Sequence, residues 1–96
     1  MVNRKKILNL FKEAFKEVKD LSNDLNVKFS ENLILKGTKS KLDSVDIVTL
    51  LSIYERKFKK EYKKNINILD ENFFNKYETI TIKQIINFSL KREKKN

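Results

Sequence analysis

Few side chains in this sequence do chemistry. It contains no Cys and no His, so the commonest metal ligand, the commonest general base and any thiol nucleophile are missing. Disulfides, thiolate metal sites, zinc chemistry and Ser-His or Cys-His triads are excluded with them. The only glycine is Gly37, so no Gly-rich phosphate loop accompanies the carboxylates. What remains is a serine set between aspartates, in the run Leu42-Asp43-Ser44-Val45-Asp46-Ile47-Val48. If a helix starts here, Ser44 stands at its N-terminus, where unpaired N–H groups and the positive end of the macrodipole favour an anion. A phosphodiester on the Ser44 oxygen meets that requirement. The plain alternative is structural. Ser44 is then only a cap residue, and Asp43 and Asp46 complement the dipole for about 0.3–1 kcal/mol each.

A second group of side chains is cationic. From Arg56 to Lys64 there are six basic residues and one acidic one, with Phe58 and Tyr62 interleaved. Such a run can form a nucleic-acid patch. It can equally be a solvated helix end whose cations complement the negative dipole terminus. Phe58 fits the core pattern and is not free to stack on bases, which favours the second reading. The net charge of +9 is compatible with nucleic acid or an anionic surface. It also follows from a composition rich in Lys, Asn and Ile, as AT-rich codons produce.

The elements that must position these residues read as helices. The chain has 96 residues, no proline and one glycine, which suits one small helical domain. A domain this size buries only about 60–65% of its unfolded surface. Ile7, Leu10, Phe11, Ala14, Phe15, Val18 and Leu21 fall at helical spacing, predicting a first helix over about 4 to 22, capped by Asn3. Residues 23 to 42 lose the pattern and predict a long loop packed onto the core through Val27, Phe29, Leu33, Ile34 and Leu35, with a turn at Gly37-Thr38-Lys39-Ser40. Asp43 predicts the N-cap of a second helix that ends near 60 to 63. Val48, Leu51, Tyr54, Glu55 and Phe58 run down one side of it, broadened by Ile47 and Leu50. Ile66 and Ile68 are expected to tuck inward from an extended loop. Asp70 caps a short helix over about 71 to 77 carrying Phe73 and Phe74; these two, with Tyr77 and Phe88, are expected in the core. Thr81 and Gln84 form a capping box with Ile80 as staple, starting a last helix over about 81 to 91 with Ile82, Ile85, Ile86 and Leu90 inward. The expectation is an all-α fold over 1-90: three longer helices, one short helix and a long loop between the first two. A basic tail follows at 91-96. No apolar run is long enough to span a membrane, and the charged N-terminal segment is not a signal peptide, so a cytoplasmic location is expected.

Residues 42 to 58 resemble the Asp-Ser-Leu attachment segment of the acyl and peptidyl carrier proteins. The preceding Leu35 to Lys41 is similar to the loop that leads into the second helix of stand-alone carriers. Ile68-Leu69-Asp70-Glu71 and Ile80-Thr81-Ile82 followed by Ile85-Ile86 look like the turn into the family's third helix and its last helix. The resemblance covers about 5 to 90. It implies a four-helix bundle of acyl-carrier type, with no catalysis of its own. It implies that Ser44 carries a 4′-phosphopantetheine arm, donated by coenzyme A and attached by a phosphopantetheinyl transferase. The arm's thiol would hold an acyl or aminoacyl group as a thioester, serving an acyl-activating ligase and an acyltransferase or synthase in lipid or secondary-metabolite biosynthesis. Asp43 matches the acidic residue that assists the transferase and its metal. Val45 matches the apolar residue that contacts partner enzymes. Asp46 matches an acidic recognition position, and Glu55 belongs to the same recognition set. One of Phe73 and Phe74 is expected to line a cleft for an acyl chain.

Departures from the family pattern are also legible. Thr49 stands where many carriers have Glu, and Ser52 where many have a large apolar residue. The stretch after Phe58 is longer and more basic than usual, whereas most carriers are acidic. The partner then reads the local Asp43, Asp46 and Glu55 set or is itself acidic. Two other readings remain beside the carrier: a small basic helical protein that binds nucleic acid, and a carrier-like structural subunit that is never loaded. A monomer is the default.

Overall fold

A computed structural model describes residues 3–21, 27–68 and 76–94, without the side chains of 92–94. Among them are three helices and one antiparallel pair of short strands. In chain order these are α1 (Arg4–Leu21), β1 (Ile34–Lys36), α2 (Ser44–Tyr62), β2 (Ile80–Thr81) and α3 (Ile82–Lys94).

α1 begins where Asn3 caps it, its side-chain oxygen accepting the Lys6 N–H at 2.8 Å. Ile7, Phe11, Ala14, Phe15 and Val18 are buried along one stripe, as a period of 3.6 dictates. Leu21, expected on that stripe, ends the helix 73% exposed. α2 buries Leu50, Leu51, Ile53, Tyr54 and Phe58. Val48, expected on the buried side, is 49% exposed. It lies three residues from exposed Val45 and four from exposed Ser52, so helical geometry places it on their face.

α1 and α2 run antiparallel, and charges mark their register. Lys6 pairs with Glu61 at 2.9 Å, and Lys57 with Glu17 at 2.6 Å and Glu13 at 3.8 Å. Exposed pairs of this kind contribute at most about 1 kcal/mol; the packed rings between the helices carry more weight. Phe11 meets Tyr54 at 4.7 Å between ring centroids, and Tyr54 meets Phe58 at 6.1 Å. The Tyr54 hydroxyl donates to Ser89 Oγ at 2.6 Å, and Ser89 donates to the Ile85 carbonyl at 2.8 Å. A buried hydroxyl without such a chain costs about 1–3 kcal/mol. Burial raises the Tyr54 pKa well above its ordinary value of 10.0.

The described residues are mostly helical, as the all-α expectation has it, and a small antiparallel strand pair is added where only loop was expected. Ile34 faces Thr81 and Lys36 faces Ile80, with an irregularity between them on β1. The ladder continues into α3: the Ile82 N–H donates to the Leu33 carbonyl at 3.1 Å and the Lys83 N–H to the Glu31 carbonyl at 2.9 Å. These are first-turn amides with no partner inside their own helix, so the long loop caps α3. The predicted capping box is present as well. The Thr81 N–H donates to Gln84 Oε1 at 2.8 Å, and the Gln84 N–H to Thr81 Oγ1 at 3.3 Å. Ile80, the expected staple, is a buried residue of β2. α3 also runs on to Lys94, past the expected end at 91.

Ile66 and Ile68 are buried, as expected of an inward-facing loop. Phe88 is half-buried against the core, whereas Tyr77 is 38% exposed. The short helix expected over 71 to 77 falls mostly outside the described residues, as do Asp70, Phe73 and Phe74. Among the described residues no helix is long and apolar enough to cross a membrane.

Candidate functional site

The residues singled out by their chemistry meet at the start of α2. Asp43 has extended backbone angles (φ −82°, ψ 172°), and its carboxylate accepts the Asp46 N–H at 2.8 Å. Its carbonyl accepts the Ile47 N–H at 3.0 Å. An acidic N-cap with this geometry starts the helix at the next residue, and that residue is Ser44. The amides of Ser44 and Val45 make no hydrogen bond within the described residues. They stand at the positive end of a 19-residue helix, a setting that favours an anion on the Ser44 oxygen.

Exposure at this point is high. Ser44 and Asp43 are exposed, Asp46 is half-buried, and Val45 is 70% exposed. Nothing described covers the serine from the Val45 side. The structure thus brings Asp43, Ser44, Val45 and Asp46 together. Glu55 is half-buried on the same helix, about 16 Å further along the axis at 1.5 Å per residue. It belongs to the helix but not to the cluster.

The approach to Ser44 is held by a residue read from sequence only as part of a turn. Ser40 donates its hydroxyl to the Leu35 carbonyl at 2.8 Å and accepts the Leu42 N–H at 3.2 Å. Its own N–H donates to the Gly37 carbonyl at 3.1 Å. Ser40 therefore ties β1 to the segment that delivers Asp43. A serine two residues before a buried leucine, after Gly-Thr-Lys, is the signal available for it. Gly37 makes the turn possible. Its φ of 138° suits glycine, and a Cβ there would stand 3.2 Å from Thr79 Oγ1.

Other features lie apart from this cluster. A groove of about 460 Å³ is lined by Phe15 and Phe29, with Lys12, Lys16 and Lys19 along it, and Ser44 is not part of its lining. Phe58 is fully buried and packs against Tyr62, with ring centroids 4.8 Å apart and planes tilted by 53°, so the basic run offers no free Phe58 ring for a base. Among the described residues, no group of three or more acidic side chains is placed to hold a metal ion. No family model matches the chain, and neither the curated proteins nor the solved structures contain a match to it.

Proposed function

We propose that this chain is a carrier protein that holds an acyl or aminoacyl group as a thioester on a 4′-phosphopantetheine arm at Ser44. The observation that carries the reading is the placement of Ser44: exposed, first in α2, behind the Asp43 cap and beside two amides that have no hydrogen-bond partner among the described residues. The sequence resemblance over 42 to 58 supports it. On this reading the fold is a four-helix bundle of acyl-carrier type, and the chain has no catalysis of its own and works in the cytoplasm as a monomer. Its partners are a phosphopantetheinyl transferase, an acyl-activating ligase and an acyltransferase or synthase.

Loading supplies what the chain lacks. The Ser44 oxygen attacks the pyrophosphate of coenzyme A and forms the phosphodiester; 3′,5′-adenosine diphosphate leaves, and the transferase takes the serine proton. The arm then brings the thiol that a chain without cysteine does not have. Asp43, exposed beside the serine, is positioned to help hold the transferase's metal while capping the helix.

The test is intact mass after incubation with coenzyme A and a broad-specificity phosphopantetheinyl transferase. The expected result is one added arm on the parent chain and none on Ser44→Ala. No added arm on either chain, with both folded by circular dichroism, rejects the carrier reading.

A further inference from the structure

The exposed face of α2 is divided by chemistry along its length. Val45, Val48, Ser52, Arg56 and Lys59 recur at three- and four-residue intervals and are all exposed, so they form one stripe on one face of the helix. Its first part is apolar, with Val45 70% and Val48 49% exposed. Its last part is cationic. The described ion pairs engage Lys57, one residue from Arg56, but neither Arg56 nor Lys59. Between the two parts lies neutral Ser52. Half-buried Glu55 borders the stripe and is engaged in an interaction of its own. The apolar end adjoins Ser44.

We propose that this stripe is a docking face for a protein partner of opposite layout. That partner carries an apolar pocket for Val45 and Val48, and a row of carboxylates starting about 12 Å from the pocket, the axial distance from Val48 to Arg56 at 1.5 Å per residue. The proposal rests on the carrier reading for its purpose, because docking at the head of the stripe brings Ser44 to the partner. Charge complementarity decides the sign of the partner. A chain of net charge +9 with unengaged cations on this face is drawn to an acidic surface. The exposed valines decide its class. A nucleic-acid backbone is anionic along its whole length and leaves Val45 and Val48 in water. Single strands want stacking rings, and Phe58 is fully buried.

The test uses the full chain and a synthetic helical peptide of about 18 residues, long enough to span the stripe at 1.5 Å per residue. The peptide carries two leucines at one end and glutamates along the rest of the same face. Amide shifts are followed by NMR at low salt, with duplex DNA of about 20 base pairs in a parallel titration. The expected result is shifts from Val45 to Lys59, about tenfold weaker binding for the R56E/K59E variant, and weaker binding for V45S/V48S. Circular dichroism checks that both variants remain folded. Three outcomes overturn the proposal: DNA binding tighter than the peptide with shifts confined to the cationic end, peptide shifts away from α2, or no shift with either probe. Mass measurement of loading on the same samples keeps the two readings apart. Loading without peptide binding rejects only the docking face, and peptide binding without loading rejects only the carrier.

Discussion

At the scale of single residues, Asp43 does two separable things. Its carboxylate caps α2 through the Asp46 N–H, and in the proposed function it also helps the transferase. Asparagine caps a helix about as well as aspartate, whereas alanine does not. Asp43→Ala is expected to lose about 1 kcal/mol of stability in urea unfolding. Asp43→Asn is expected to keep its stability and to load more slowly than the parent. Equal loading rates for Asp43→Asn and the parent would leave the residue with capping alone. This cap was legible in the sequence because it is a local pattern: an acidic residue directly before an amphipathic run. Val48 was not legible in the same way. Apolar residues occupy both Ile47-Val48 and Leu50-Leu51, and only packing against α1 and α3 decides which of them is covered.

At the scale of elements, periodicity revealed the helices and missed the strands. A two-residue strand such as Ile80–Thr81 has no period to read. Its partner β1 lies more than forty residues earlier in the chain, and the pairing exists only once the loop has folded back. The turn after β1 was visible through Gly37, and its strain can be tested. Gly37→Ala places a Cβ 3.2 Å from Thr79 Oγ1 at a φ of 138°. The expected cost is about 1–3 kcal/mol, read as a lower urea midpoint with α-helical content retained. A midpoint equal to that of the parent would show that the turn relaxes freely.

At the scale of the whole molecule, charge sets the response to acid. Arg4 hydrogen-bonds Glu31, joining the start of α1 to the long loop, and that bond holds the Glu31 carboxyl below its ordinary value of 4.5. A carboxyl lowered on folding stabilises the fold above its unfolded pKa, and that contribution disappears as pH falls through the folded value. Stability is therefore expected to decline below about pH 4.5. In Glu31→Gln the decline is expected to be shallower, because the mutant has no proton to take up there. Urea midpoints measured across this range, with both proteins at equal salt, check it; identical slopes would remove Glu31 from the acid response. The sum of charges was readable from composition, but which cations are engaged was not. Lys57 is held by Glu13 and Glu17 while Arg56 beside it faces outward, a difference of one residue that only the helix–helix register produces.

The β1–β2 clip has a mechanical consequence. The segment that leads into α2 is fastened to the start of α3 by the strand pair and the two carbonyl bonds from Leu33 and Glu31. Swinging the head of α2 outward would stretch the six residues between Lys36 and Asp43 or peel the clip apart. Ser44 is thus anchored on a fixed post. In the proposed function, any distance between this protein and a partner enzyme then falls to the length of the arm on Ser44, not to a movement of the helix that bears it.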